Sequence, residues 1–232
     1  MSARLPDPQS IPAMSGYEIG AYLRAVAAKV KAPQCIVEIG PWLGANTAQM
    51  GAGTMDAEAP ATIHAYDLFQ ARSDEVRKAA ALGIEIAQGE DTRPLVRQLI
   101  APFGGKVALH KGDIMDITWD GAPVGLYVDD AAKTPTHFYN MMATFAPSFV
   151  PGETIVVLMD YHFWEDRPTW RARKRFRVQR NLVERFPDSF EEIKNDVFEG
   201  SVMAAFRFVK PFPMGMIKAQ ARIRRALDGL PF

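Results

Sequence analysis

Val37-Glu38-Ile39-Gly40-Pro41-Trp42-Leu43-Gly44-Ala45-Asn46-Thr47 is the stretch that decides how this chain is read. An apolar run carries an acid, a glycine-punctuated turn follows, and a helix opens. Gly40 and Gly44 remove side chains where the backbone must approach a ligand closely or take a positive φ, and the helix start near Asn46 offers unpaired N–H groups. That combination is a nucleotide-binding design, with a tight strand-to-helix turn without ligand as the plain alternative. A dinucleotide fingerprint would read Gly-x-Gly-x-x-Gly and seat a pyrophosphate on the helix N-terminus. The middle glycine is missing here. Glu38, two residues before the turn, would repel a pyrophosphate but suits a cationic or hydroxyl-rich ligand.

At 232 residues with 48% hydrophobic content, the chain has the size and core for one α/β domain with appendages. Lys plus Arg equals Asp plus Glu at 27 each, so no global field points to nucleic acid or to an anionic membrane, and a small-molecule ligand is expected. Cys35, the only cysteine, lies in an apolar run and reads as a buried structural thiol; disulfides and cysteine zinc sites within one chain are excluded. No apolar leader and no membrane-length segment is present, which places the expected protein in the cytoplasm.

Working outward, Ser15 is a candidate cap for a helix from about Gly16 to Val30, forming with the lead-in a segment 1–33. A strand at Gln34 to Ile39, a helix from Ala45 to about Ala52 and a strand at Thr62 to Tyr66 make a βαβ unit. Helical patterns follow at Asp74 to Ala81 and at Arg93 to Ile100, the second with Thr92 as cap and Pro94 early, where its missing N–H is harmless. Strands are expected at Val107 to His110, Gly125 to Val128 and Thr154 to Met159, with a helix at Thr136 to Phe145. Two strand-like runs, Phe190 to Val197 and Val202 to Val209, read as an antiparallel hairpin turning at Glu199-Gly200. The tail, 211–232, carries a basic helix from Met214 to Leu227 that is expected to pack on its own domain, or on a second copy of the chain in a homo-oligomer, with nucleic acid or membrane binding as the alternative.

Open parallel sheets bind ligands at the C-terminal ends of their strands. This chain has an acid at nearly every such end: Glu38, Asp67, Asp113, the pair Asp129 and Asp130, and Asp160. Strands often exit into polar loops, but the regularity of the series favours a ligand site.

From near Gln34 to Val209 the pattern resembles the class I S-adenosylmethionine (SAM)-dependent methyltransferases. The resemblance implies a Rossmann-like α/β fold over residues 34–210: a seven-stranded, mostly parallel sheet with an antiparallel last strand and helices on both faces. Glu38, Gly40 and Gly44 match motif I, which holds the amino acid part of SAM. Asp67 matches the acid that binds both ribose hydroxyls, a task suited to two carboxylate oxygens. Asp113 matches the acid that meets the adenine amino group, and Ile114 would pack on the ring. Asp129 matches motif IV, where cofactor and acceptor meet. Glu-Ile-Gly-Pro-Trp-Leu-Gly is similar to the small-molecule O-methyltransferase branches of macrocin and catechol type and to methyltransferase-domain-24-like proteins. In those branches acids after strands four and five hold a divalent cation, usually Mg²⁺; Asp129, Asp130 and Asp160 occupy equivalent places and offer the oxygen donors it requires. Tyr161 stands where an asparagine or acid is usual, so two carboxylates and waters would have to hold the ion.

Without metal the acceptor oxygen needs a base. His162, just beyond the fifth strand, ranks ahead of His137, and Lys133 resembles the lysine whose charge lowers the pKa of a bound hydroxyl in catechol-type enzymes. The segment from Tyr161 to Trp170 offers flat apolar walls for a sugar or an aromatic ring. The basic run Arg171 to Arg177 suits a phosphate or carboxylate on the acceptor, or is a solvated helix face. The resulting expectation is methyl transfer to a hydroxyl of a small molecule, with a nicotinamide-dependent oxidoreductase and a non-catalytic methyltransferase-like binding module as rivals.

Overall fold

A computed structural model describes residues 10–13, 17–55 and 57–228, which form two compact units, one up to Asp113 and one from Ile114. In the first unit Tyr17–Ala27 (α1) leads to Cys35–Ile39 (β1), Ala45–Thr54 (α2), Thr62–Asp67 (β2), Ser73–Ala81 (α3), Arg93–Ile100 (α4) and Lys106–Lys111 (β3). The expected cap Ser15, and Gly16, lie outside the described residues. α1 stops at Ala27, three residues short of the expected end, because Lys29 and Val30 turn back onto the carbonyls of Val26 and Ala27 with tighter i→i−3 bonds. β1 is buried along its whole length and pairs in parallel with β2, which pairs in parallel with β3, in the order β3-β2-β1. Gly53 allows α2 to lie close against α1: a Cβ there would stand 2.3 Å from the carbonyl oxygen of Arg24. Leu43, Phe69, Val96, Ile100 and Phe103 share one buried cluster, so the turns after β1 and β2 are anchored in the core.

Thr92 precedes α4 as expected but does not cap it with its side chain. The cap comes from one residue earlier, where Asp91 Oδ1 accepts the Arg93 N–H at 3.0 Å.

The second unit runs through Val124–Asp129 (β4), Pro135–Phe145 (α5), Ile155–Leu158 (β5), Trp170–Phe176 (α6), Val178–Arg185 (α7), Phe190–Glu192 (β6), Ala204–Phe208 (β7) and Met214–Asp228 (α8). β4 and β5 are parallel, β7 is antiparallel to both β5 and β6, and the order is β4-β5-β7-β6. Seven strands, mostly parallel with the last one reversed, give the expected Rossmann-like α/β class. The expected strand over Phe190 to Val197 is cut to three residues: Asn195 accepts the Val197 N–H at 3.1 Å, and this local bond turns residues 196–198 into a single 3₁₀ turn. The basic segment after β5 forms two short helices that meet at Arg177. α8 packs on α5 through buried Ile217 and Ala221, and Arg225 bonds to Asp116 at 3.1 Å. Among the described residues no helix is long and apolar enough to cross a membrane. Cys35 is buried, as expected.

Candidate functional site

Glu38 sits in β1 with 1% of its surface exposed, and its carboxyl accepts the Thr47 hydroxyl at 2.5 Å. Thr47 lies in the first turn of α2, so this bond fastens the strand to the helix across the intervening turn. Burial drives the Glu38 pKa from 4.5 to about 7; the Thr47 hydrogen bond opposes the rise and the nearby Asp67 charge adds to it. Glu38 is thus an acid that titrates near neutrality.

Between them the turn is shaped by backbone. Gly40 and Gly44 have φ of 84° and 86°, the values that favour glycine. Gly40 donates to the Tyr66 carbonyl at 2.9 Å and Gly44 to the Pro41 carbonyl at 2.7 Å. At Gly44 a second reason applies, since a Cβ would stand 2.7 Å from Ile100 Cγ2 and 3.1 Å from Val96 Cγ1. This glycine serves packing against α4 as well as the open turn.

Asp67 ends β2. Its carboxylate accepts the backbone N–H of Phe69 at 2.9 Å and that of Trp42 in the glycine turn. Trp42 and Phe69, at φ 48° and 45°, are the two non-glycine residues with positive φ among the described residues. Such conformations cost roughly 1–3 kcal/mol each and persist where the surroundings over-determine them, often at ligand clamps. Burial raises the Asp67 pKa, and the two backbone bonds hold it down. Trp42 also carries a buried indole N–H with no partner, a donor left for something the protein itself does not supply. Trp42 stands where the dinucleotide fingerprint has its middle glycine, and it packs against the buried clusters beneath the turn. Asp113, two residues beyond β3, is exposed, and Ile114 is half-buried with its carbonyl held by Asn140 at 3.0 Å.

The second unit holds its own cluster. Asp129, the last residue of β4, is fully buried; its Oδ1 accepts the N–H groups of Ala132 at 2.8 Å and Ala131 at 3.3 Å, and its Oδ2 the Tyr127 hydroxyl at 3.1 Å. Burial lifts its pKa from 3.8 to about 6, against the two backbone bonds. Those bonds shape the loop that carries Lys133, whose Nζ lies 3.1 Å from Asp160 Oδ1. The other Asp160 oxygen is buried without a partner. Burial raises the Asp160 pKa and the Lys133 charge restrains it. Phe163 packs beneath this pair, with Lys133 Nζ 5.0 Å and the Arg167 guanidinium 4.0 Å from its ring centre.

His162 is held by Glu165, Nδ1 to Oε1 at 2.7 Å, while Arg180 reaches the same Glu165 oxygen at 3.4 Å. The carboxylate fixes the imidazole's orientation, as a base requires. The ring of His137 has no protein hydrogen-bond partner among the described residues.

The expected metal residues, Asp129, Asp130 and Asp160, do not assemble as a triad. Among the described residues no three His, Cys, Asp or Glu gather to hold a metal, Asp129 already accepts three protein donors, and the Lys133 ammonium stands at one of the two Asp160 oxygens. Asp129, with both oxygens occupied, does not fit Mg²⁺, and Lys133 already neutralises one oxygen of Asp160. Sequence reading did not foresee Thr47, Tyr127 and Glu165 as partners of the expected residues; only Thr47 had a signal, a hydroxyl in the first turn of the motif's own helix.

No family model matches the chain, and no curated protein sequence matches it. Solved structures do. A Corynebacterium glutamicum protein aligns with a TM-score of 0.54 at 14% identity, covering 88% of this chain and 85% of that one. The apo TDP-rhamnose 3′-O-methyltransferase of calicheamicin biosynthesis aligns with a TM-score of 0.53 at 14% identity, covering 82% and 77%. A methyltransferase of Podospora anserina bound to S-adenosylhomocysteine (SAH) gives 0.50 at 16% identity, covering 85% and 80%. The chain shares the Rossmann-like α/β fold of these methyltransferase structures.

Proposed function

We propose that this protein is a SAM-dependent methyltransferase that transfers a methyl group to a hydroxyl of a small molecule. The observation that carries the reading is Asp67, a carboxylate at the end of β2 locked to the glycine turn by the Trp42 N–H. SAM fits the residues present: a carboxylate for vicinal hydroxyls, a buried acid whose pKa burial raises and an indole N–H without a partner flank or belong to a turn without side chains at Gly40 and Gly44. When bound, SAM supplies a methyl group already activated by its sulfonium charge. Glu38, Gly40 and Gly44 would hold the amino acid part, Asp67 the ribose, and Asp113 and Ile114 the adenine.

The chain's own chemistry then concerns one proton. The partnerless Asp160 oxygen accepts the acceptor's O–H and takes its proton, for which its raised pKa prepares it. Lys133, beside the same carboxylate, stabilises the negative charge left on oxygen. Asp129 is a positioning residue that holds the Ala131–Ala132 backbone and through it Lys133. His162, oriented by Glu165, is a second base on the same loop.

Calorimetric titration of the purified protein with SAM, SAH and NADH tests the reading. Saturable SAM and SAH binding is expected, weakened at least about tenfold in Asp67→Asn, which keeps an acceptor for the loop N–H groups but loses the charge. Binding of NADH instead, or of none, overturns it.

A further inference from the structure

α6 places Arg171, Lys174 and Arg175 on one face by their i, i+3, i+4 spacing, and all three are exposed. Together with Arg224 of α8 they line a pocket of about 530 Å³ in the second unit, inside the size range of small-ligand sites. No acid lines it. Among the described residues none of the four cations meets a carboxylate, and Arg224 Nε is buried without a hydrogen-bond partner. One turn further on, the pattern changes: Arg177 and Arg180 are both bound to Glu184, at 2.9 and 2.8 Å. Four uncompensated positive charges around one concavity repel each other, and an anion in the pocket removes that cost.

The walls specify the rest of the ligand. Trp170 is 71% exposed, with the Lys174 ammonium 5.2 Å from its ring centre and the rest of the indole open to solvent. Tyr139 and Val178 add apolar surface. A flat aromatic face beside clustered cations matches a planar ring that carries phosphates. Because the positive field ends at Arg177 and Arg180, and the whole chain has a net charge of zero, the surface suits a compact ligand better than a nucleic acid strand, which needs a continuing line of phosphate contacts.

We infer that this pocket binds a nucleoside diphosphate or a conjugate of one, with the phosphates among Arg171, Lys174, Arg175 and Arg224 and the ring on Trp170. The inference stands on charge and shape in the second unit and holds whether or not the first unit binds SAM.

The test is calorimetry on the full chain with UDP, uridine, inorganic pyrophosphate and a short oligouridylate, with and without saturating SAH. UDP is expected to bind at one site, at least about tenfold tighter than uridine or pyrophosphate, and unchanged by SAH or Asp67→Asn. Arg224→Ala and Lys174→Ala should each weaken UDP about tenfold, while Trp170→Ala weakens UDP but not pyrophosphate. These positions are exposed or half-buried, and circular dichroism checks that the variants fold. UDP binding that SAH displaces, that these variants leave intact, or that the oligouridylate exceeds would overturn the assignment, as would no UDP binding at millimolar concentration.

Discussion

The carboxylate of Asp67 accepts the backbone N–H of Trp42, so the acid that ends the second strand is tied to the turn that follows the first. Both of its N–H donors, Trp42 and Phe69, are held at positive φ without being glycine. A carboxylate that stabilises two strained turns is doing structural service before any ligand arrives. Its contributions to the fold and to binding therefore have to be separated.

Asp67→Ala and Asp67→Asn make that separation. The alanine variant leaves two N–H groups without their acceptor and should lose about 1–3 kcal/mol of unfolding free energy in urea titration. The asparagine variant keeps one amide oxygen as acceptor and should recover much of that loss, yet bind SAM as poorly as the alanine variant does. Equal stability of the two variants would remove Asp67 from the turn's support.

Glu38 gives the protein a pH dependence of known sign. Its folded pKa of about 7 lies above the 4.5 of the exposed group, so the folded state holds the proton more tightly. The stability associated with that proton is complete below about pH 4.5 and is lost as pH rises through 7, by roughly 3 kcal/mol in the apo protein. Glu38→Gln, which cannot ionise, should unfold at higher urea than the natural protein at pH 8 and at nearly the same urea at pH 5. An unchanged difference between the two pH values would mean that the carboxyl is ionised throughout.

Much of this could be read from the sequence, and the boundary has a physical cause. Glu38, Gly40, Gly44 and Asp67 were legible because strand period and glycine punctuation are local signals, and Gly40 and Gly44 do take the positive φ expected of them. The hydrogen bond from Trp42 to Asp67 was not, since it arises only when two loops 25 residues apart in the chain are brought together by parallel pairing of β1 and β2. The metal expectation finds no support for a related reason. Spacing places Asp129 and Asp160 at strand ends, but it does not say that Tyr127, Ala131 and Ala132 already occupy both Asp129 oxygens and that Lys133 sits at one oxygen of Asp160. The strand expected over Phe190 to Val197 had the right hydrophobicity, and a single Asn195 side chain ended it early.

Lys133 and Asp160 should behave as a couple. With a methyl acceptor in hand, Lys133→Met and Asp160→Asn are each expected to lower kcat by about a hundredfold or more while leaving SAM affinity unchanged. Because protein donors occupy both Asp129 oxygens and Lys133 sits at one oxygen of Asp160, EDTA should leave turnover of the natural protein unchanged, and added Mg²⁺ should not raise it. Loss of activity in EDTA, restored by Mg²⁺, would assign the acids to a metal and reduce Lys133 to a bystander.

Gly44 separates packing from binding within the same turn. Alanine there must adopt φ near 86° and bring its Cβ to 2.7 Å from Ile100 Cγ2, so Gly44→Ala should cost roughly 1–3 kcal/mol from backbone strain, and more from the clash. Pairing it with Ile100→Ala removes the clashing methyl and leaves the strain. The double variant should therefore be less destabilised than the sum of the two single variants, by an interaction energy of about 0.5–3 kcal/mol in urea unfolding. Strict additivity would mean that the Gly44 requirement is one of backbone conformation alone, and that α4 does not press on the turn.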